Sequence, residues 1–253
     1  METLEFDTNP FGGVIMNPAH LPDDAAEFET LLSHSLKMWG DDGYKVVWLE
    51  APIEKVDLVP VAVRHGFTFH HSEEDHLMMT HRLEADAFVP PYATHYTGAG
   101  GVVINDRKEI LVVSEKYRRS SKNPSYKLPG GALAQGEHLA DCVTREVFEE
   151  TGVRAEFISI VCFRHWHGYR YGKSDIYFVC RLKPLTEEVT IQAEEIAEAL
   201  WMPVDDYLAA EGVSVFNKEI VKAAIESPGV SPTTIEGYSD PERHEIFMPR
   251  YDV

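Results

Sequence analysis

The pattern of apolar and polar positions divides the chain near residue 90 into two halves, each mixing helices and strands. In the first half, apolar residues recur at helical spacing from 25 to 39. Short apolar runs predict strands at 45–50, 67–71 and 75–83. A second amphipathic stretch covers 53–65, where Pro60 predicts either a kink or the start of a helix. The first half is therefore predicted to be a small α/β domain, residues 1–90.

The second half is predicted to be rich in strands. The predicted strands are 98–104, 109–114, 157–166, 174–182 and 196–202, and the predicted helices are 139–151, 204–207 and 215–226. The first two strands are predicted to form a hairpin with a turn at 105–108, and Gly152 predicts the end of the first helix. Residues 95–228 are the predicted second domain. Residues 229–253 are predicted to be a tail, either packed on the surface or mobile.

Acidic residues crowd one face of the first predicted helix of the second half. Glu146, Glu149 and Glu150 follow i, i+3, i+4 spacing, so their carboxylates project from the same face. Such a set repels itself unless a cation lies among its members, and oxygen ligands favour Mg²⁺ or Mn²⁺ over Zn²⁺. Arg145 can brace the set, because it follows Glu137 by eight residues and precedes Glu149 by four. The alternative is a solvent-facing helix with i, i+4 ion pairs.

The string from Gly131 to Val153 resembles the Nudix box and fills every defined position of it. The resemblance implies an α/β/α sandwich around a mixed sheet. It also implies hydrolysis of the pyrophosphate bond in a nucleoside diphosphate linked to another group. The implied metal ligands are the carbonyl of Gly131 and the carboxylates of Glu146, Glu149 and Glu150, holding Mg²⁺ or Mn²⁺.

The residue that activates water is left open by the sequence. A carboxylate of the box, or one on a later loop, can act as general base. Glu195 is the later candidate, in an acidic run with Glu194 and Glu198, where several relatives of the family place an additional glutamate. The alternative for this run is a solvated acidic turn.

Two segments carry candidate substrate-binding residues. A basic loop after the second strand contains Arg118 and Arg119, whose guanidinium groups could form forked contacts with a phosphate or ribose. The segment 163–172 carries Arg164 and His165 among four aromatic side chains, a composition suited to stacking on a nucleobase. The alternatives are a solubilising loop in the first case, and an aromatic contact with the first domain or a twin subunit in the second.

The first half resembles the reduced acetyltransferase-like domain that precedes the Nudix domain in one subfamily. The matching residues are 64–71 and the strand after them. No glycine-rich pyrophosphate loop of the acetyl-CoA enzymes is present in the sequence, so acetyl transfer is not expected. The resemblance places ADP-ribose and NADH first among substrates, and homodimers are common among the relatives.

The charge balance narrows the classes of partner. There are 23 basic and 42 acidic residues, a net charge of −19, so phosphate backbones are repelled and nucleic-acid binding, including RNA decapping, is disfavoured. A small anionic substrate remains compatible, because metal ions and a local basic cluster can invert the field at one site. The rival from another class is a regulator that binds a nucleotide without turnover, and the complete acid set argues against it.

Cysteine usage and hydropathy indicate the compartment. Cys142, Cys162 and Cys180 are odd in number and lack C-x-x-C spacing, which is typical of reduced thiols. No apolar run approaches the roughly 20 residues that span a bilayer, and the acidic N-terminus does not resemble a secretion signal. The expectation is a cytoplasmic protein without a membrane segment.

Five histidines of the first half raise the question of a metal site. They are His65, His70, His71, His76 and His81. Adjacent strand residues point to opposite faces, so His70 and His71 are not expected to share an ion. Structural or surface histidines are the prediction.

Overall fold

The structure is a computed structural model that describes residues 2–116, 125–191 and 194–250. The chain divides into two compact units, Met1–Ala93 and Thr94–Val253. The apolar clusters follow this division, because one is built wholly from the first unit and two from the second.

The first unit is a five-stranded sheet with two helices. Its elements are β1 (Phe6–Thr8), β2 (Gly13–Met16), α1 (Ala25–Asp41), β3 (Val46–Pro52), α2 (Val59–Arg64), β4 (Thr68–Ser72) and β5 (His76–Arg82), and the strand order is β1-β2-β3-β5-β4. Helix α1 begins where the Asp24 side chain accepts hydrogen bonds from two backbone N–H groups of the first turn. Phe28, Leu32 and Trp39 bury its apolar face in the core.

Most predicted elements of the first unit are confirmed. Pro60 lies in the first turn of α2, after a 3₁₀-helix at Ile53–Leu58, so the second of the two predicted alternatives is correct. The sequence pattern missed β1 and β2, which are only three and four residues long.

The prediction that His70 and His71 point apart is wrong. A β-bulge between Phe69 and His71 interrupts the pairing of β4 with β5, and the Nδ1 atoms of the two histidines lie 2.6 Å apart. His70 Nε2 donates to the carbonyl of Pro90 at 2.7 Å, because a carbonyl oxygen only accepts. Across the described ranges, no group of three or more histidine, cysteine or acidic side chains is arranged to hold a metal ion.

The second unit is an α/β/α sandwich with a mixed sheet. Its elements are β6 (His95–Val103), β7 (Glu109–Glu115), β8 (Gly130–Ala132), α3 (Leu139–Thr151), β9 (Ala155–Trp166), β10 (Ser174–Pro184), β11 (Ile196–Pro203), α4 (Val204–Ala209), α5 (Val215–Glu226), β12 (Ser231–Pro232) and β13 (Phe247–Met248). The four-stranded sheet has the order β8-β6-β10-β9, with β10 parallel to β6 and antiparallel to β9. Strands β7 and β11 form a second pair.

Two clusters cover the opposite sides of the sheets. On one side, Val143 and Val147 of α3 pack with Ala99 of β6. On the other, Tyr207 of α4 and Val221 of α5 pack with further residues of the strands. The predicted sandwich is therefore present.

The predicted hairpin of the second unit is wrong beyond its turn. Ile104 and Ile110 form a single bridge, and the Asn105 side chain accepts from the backbone N–H groups of Arg107 and Glu109. Strand β6, which precedes the turn, belongs to the four-stranded sheet, whereas β7, which follows it, pairs with β11. The strands before and after this turn therefore belong to two different sheets.

The predicted C-terminal tail is packed over residues 229–250. Strands β12 and β13 pair with each other, and Val230 pairs with Ile160 of β9. The Phe247 ring lies 5.5 Å from that of Phe157. Of the two alternatives, the packed segment is correct.

Candidate active site

Two adjacent glycines of β8 allow this strand to pack closely against β6 and helix α3. Gly130 has φ 151, and a Cβ at this position would lie 2.2 Å from the carbonyl oxygen of Ala99, so a side chain does not fit. A Cβ on Gly131 would lie 2.5 Å from the carboxyl oxygens of Glu146. Gly130 therefore lets β8 approach the backbone of β6, and Gly131 lets it approach the Glu146 carboxylate.

Arg145 makes the brace expected from the spacing. Its Nε and Nη2 donate to the two carboxyl oxygens of Glu137 at 2.7 and 3.0 Å, and its Nη1 donates to both Glu146 and Glu149 at 2.9 Å. These hydrogen bonds from Arg145 are the main cause that lowers the pKa of Glu137 to about 2. The guanidinium group therefore joins three carboxylates into one rigid unit.

Glu150 faces a different set of partners. Its side chain is buried, accepts from the backbone N–H of Gly130 at 3.0 Å, and lies 4.0 Å from the Nζ of Lys127. Burial raises the pKa of Glu150 to about 7, although Lys127 and the Gly130 hydrogen bond act in the opposite direction. A buried carboxylate with incomplete charge compensation is suited to a cation.

The helix that carries this site ends as the sequence predicts. Gly152 has φ 71 and caps α3 in the left-handed conformation. Helix α3 therefore presents its acids on a segment with a fixed beginning and end.

Comparison with known proteins identifies the family. The NUDIX domain family matches residues 94–224, and a family described as the Nudix hydrolase domain matches residues 4–83. Nudix hydrolase 2 of Arabidopsis thaliana is 44% identical over 199 residues, which cover 78% of this chain and 71% of that protein. The chain belongs to the Nudix hydrolase family.

Other relatives extend the likeness into the first unit. Nudix hydrolase 8 of Arabidopsis thaliana is 41% identical over 200 residues, 78% of this chain, and the match spans 54% of that protein's length. The human protein named nucleoside diphosphate-linked moiety X motif 6 is 34% identical over 227 residues, 87% of this chain and 71% of the relative. Since these shares exceed the second unit, the Nudix relatives share part of the first unit as well.

The acidic side chains of this site are not grouped to hold a metal ion in their present positions, since the described residues contain no such group of three. Nudix enzymes generally use divalent metal ions, however, and the donors that the site offers are of the kind that such an ion prefers. They are all oxygens: the carbonyl of Gly131 and the carboxylates of Glu146, Glu149 and Glu150. Arg145 takes one oxygen from each of Glu146 and Glu149, which leaves their second oxygens without a hydrogen-bond partner among the residues described. The missing Cβ of Gly131 provides the space beside Glu146.

The later acidic run of the Nudix domain covers the turn before β11 and the first residues of that strand. The backbone carbonyl of Glu195 accepts from the backbone N–H of Lys116 at 2.8 Å, and its side chain is exposed. The Glu198 side chain accepts from the hydroxyl of Tyr126 at 2.8 Å. Glu195 is thus tied to the end of β7, and Glu198 has a partner of its own.

The candidate substrate-binding residues are distributed unevenly. Arg118 and Arg119 lie outside the residues that the structure describes. Arg164 and His165 are neighbours on β9 and point to opposite faces. His165 Nε2 lies 2.9 Å from His95 Nε2, so the two candidates do not meet in one site.

Arg164 lies among aromatic rings. It donates to Asp175 at 2.7 Å, and its guanidinium carbon lies 5.1 to 5.6 Å from the ring centres of Trp166, Tyr177 and Phe216. Its Nε is buried without a hydrogen-bond partner in the described part of the chain. A ligand can stack on a planar cation held in this way, or accept a hydrogen bond from it.

Sequence reasoning missed Lys127 and Tyr177. Lys127 links Glu150 to Glu115, whose carboxylate it contacts at 2.5 Å. The Tyr177 hydroxyl would lie 1.9 Å from a Cβ on Gly100, and burial raises the pKa of Tyr177 so that its hydroxyl stays neutral. The signal for Tyr177 was a glycine within a strand, which marks a close approach of another group.

Proposed function

We propose that this Nudix hydrolase cleaves the pyrophosphate bond of a nucleoside diphosphate linked to another moiety, with Mg²⁺ or Mn²⁺ as cofactor. ADP-ribose and NADH are the first candidates, on the strength of the subfamily resemblance of the first unit. The observation that carries the proposal is the carboxylate cluster around Arg145, together with buried Glu150, which accepts from the backbone N–H of Gly130. The products would be two phosphate monoesters.

The proposed ligands of the ion are the Gly131 carbonyl and the side chains of Glu146, Glu149 and Glu150. When bound, the ion would neutralise charge that develops on phosphorus and lower the pKa of the attacking water. Arg145 keeps Glu146 and Glu149 in register, which reduces the reorganisation needed for binding.

The proposed general base is Glu195 or one of the box carboxylates. A scan to glutamine assigns it, over Glu146, Glu149, Glu150, Glu194, Glu195 and Glu198. Loss of turnover with Mn²⁺ binding intact, measured by electron paramagnetic resonance, marks the base. Loss of both marks a ligand.

The proposed contacts with the rest of the substrate are the Arg164 guanidinium and its aromatic neighbours. The buried Nε of Arg164 offers a donor, and Trp166 and Phe216 are partly exposed for stacking. Arg118 and Arg119 remain predictions for a distal phosphate or ribose, and His165 remains a weaker candidate because it bonds to His95.

A phosphate-release assay coupled to a phosphatase tests the proposed activity. The panel is ADP-ribose, NADH, sugar nucleotides, coenzyme A and capped RNA, each with Mg²⁺ and with Mn²⁺. Preferential cleavage of ADP-ribose or NADH is expected. Inactivity on every compound would remove the activity and leave the nucleotide-binding regulator as the better description.

RNA decapping is the closer rival. The net charge of −19 disfavours it, because a strongly acidic surface repels a polynucleotide. Cleavage of capped RNA that falls steeply with salt would favour it.

The proposed location is cytoplasmic, and all three cysteines are free thiols. No helix of the described segments has the length and apolarity to cross a bilayer. A homodimer remains a prediction.

A further inference from the structure

Helix α3 carries the acids of the proposed metal site but supplies no cap for its own N-terminus. The residue before the helix, His138, makes no side-chain capping bond. The first N–H groups of an α-helix have no partner within the helix and need an acceptor from elsewhere. In this protein the acceptor comes from a residue more than 100 positions away.

Glu245 accepts at that end of the helix. Its Oε2 accepts from the backbone N–H of Leu139, and its Oε1 accepts from that of Ala140 at 3.1 Å. The carboxylate also complements the positive end of the helix dipole. His138 adds two contacts, donating from Nε2 to the carbonyl of Pro241 at 2.9 Å and placing Nδ1 3.8 Å from Glu245.

The segment that carries Glu245 is fixed on the other side by strand β9. Val230 and Ile160 exchange backbone hydrogen bonds at 3.0 and 2.9 Å. The segment then closes on itself, because β12 pairs with β13 and the N–H of Thr233 donates to the carbonyl of Ile246 at 2.8 Å. Residues 229–250 therefore connect β9 with the start of α3, and we call them the C-terminal clamp.

The end that the clamp holds is next to the arginine brace. Glu137 directly precedes His138, and both of its carboxyl oxygens accept from Arg145. A displacement at His138 therefore displaces Glu137, and through Arg145 it changes the positions of Glu146 and Glu149. An intact helix transmits the same movement along its axis, since its backbone hydrogen bonds make it rigid.

We propose that Glu245 is a positioning residue for the proposed hydrolysis, which holds the N-terminus of α3 so that the Arg145-braced carboxylates keep their places. Its carboxylate is bonded to the start of the helix, at the opposite end from Glu149 and Glu150. It acts through His138, Leu139 and Ala140 at one end of the helix on the ligands further along. The expected effect of Glu245 on turnover rests on the proposed function. Its effect on the position of α3 and on cation affinity does not depend on that function.

The experiment compares Glu245→Ala and Glu245→Gln in the full chain, with Glu242→Ala as the matched control. Glu242 is an exposed acid of the same clamp, and within the described part of the chain its hydrogen bonding is limited to its backbone N–H, which donates to Asp240. Three quantities are measured: amide exchange at Leu139 and Ala140, the Kd for Mn²⁺ alone, and kcat and KM with the best compound of the substrate panel.

Glu245→Ala is expected to accelerate exchange at both amides, to weaken Mn²⁺ binding and to lower kcat by about tenfold each, the scale of lost support around metal ligands. KM should stay within about twofold, because the substrate contacts are elsewhere. Glu245→Gln should recover only part of the loss, since its amide oxygen still accepts one of the two hydrogen bonds but the negative charge at the helix start is gone. Thermal unfolding checks that each variant is folded.

The proposal is overturned if Glu245→Ala accelerates exchange but leaves the Mn²⁺ Kd and kcat as in wild type, because Glu245 would then be a cap only. Unchanged exchange overturns it as well. If the wild-type protein cleaves no compound of the panel, the proposed function fails, and exchange together with Mn²⁺ affinity still decides the positioning role.

Discussion

Burial and the neighbouring Lys127 shift the pKa of the Glu150 carboxyl group in opposite directions. The residue is only 7% exposed, and its pKa of about 7 contrasts with the value of about 2 at Glu137, whose carboxylate accepts two hydrogen bonds from Arg145. The two acids belong to one motif, yet their surroundings drive them in opposite directions. The difference gives each residue its own signature in the pH dependence of stability.

Replacing Glu150 with glutamine is expected to stabilise the metal-free protein at alkaline pH. The folded-state pKa is raised from 4.5 to about 7, so the folded protein binds this proton more tightly than the unfolded chain. Wild-type stability therefore falls between about pH 4.5 and 7 and stays reduced above. Glu150→Gln removes that loss, which is at most about 3 kcal/mol at pH 8.

Urea unfolding in EDTA at pH 4.5 and pH 8 measures this effect. Glu226→Gln, at an exposed site on α5, is the control and should follow wild type. Added Mg²⁺ should reverse the order at pH 8, because only the wild-type carboxylate strengthens the bound state. Equal stability of Glu150→Gln and wild type at pH 8 in EDTA would contradict the prediction.

Replacing Glu137 with glutamine is expected to have the opposite pH signature. The folded-state pKa is lowered from 4.5 to about 2, so the ion pair stabilises the protein above pH 4.5 and loses this effect as pH falls towards 2. The advantage of wild type over Glu137→Gln should therefore shrink by at most about 1.4 kcal/mol per pH unit in that window.

Urea unfolding at pH 6, 4 and 3 tests this, with the same comparison repeated in an Arg145→Lys background. Lysine keeps the positive charge but cannot form the fork, so the pH-dependent difference should become smaller there. A difference that is independent of pH in the wild-type background would show that Arg145 does not hold the Glu137 carboxylate.

At the scale of elements, the site depends on the meeting of a short strand with a helix. Strand β8 has only three residues, and it pairs with β6 through Gly130 and Gly131. Gly130 also supplies the backbone N–H that donates to the Glu150 carboxylate. The local backbone conformation therefore connects the sheet with the acids of α3.

Gly130→Ala is expected to abolish turnover and to destabilise the second unit, because the new Cβ would meet backbone atoms of Ala99 and Gly100 at 2.2 and 2.6 Å. Gly136→Ala is the matched control, since Gly136 also has a positive φ, 76, with open space around it. The control should lose only about 1 kcal/mol. Urea unfolding and the phosphate-release assay measure both variants, and equal effects would show that backbone strain rather than the close approach is decisive.

At the scale of the whole molecule, the described residues of the proposed site all belong to the second unit, residues 94–253. The apolar clusters of the two units have no residue in common. Each unit therefore has the material for an independent core.

Residues 94–253 produced alone are expected to unfold in one cooperative transition and to bind Mn²⁺ as the full chain does, because the ligands and the clamp are retained. Circular dichroism on heating and Mn²⁺ titration test this. A fragment that folds but has lost turnover, when the full chain is active, would show that the first unit contributes to the substrate site.

The sequence determined the acid string, the ends of α3 and the brace of Arg145, because these depend on spacing within a few residues along one helix. It also determined most strands, whose apolar pattern is local. Only the tertiary structure decided that β6 and β7 enter different sheets, that a bulge brings His70 and His71 together, and that Lys127 and Glu245 reach opposite ends of α3. These contacts join residues that are distant in the chain or depend on one irregular pairing, and no local periodicity encodes such partners.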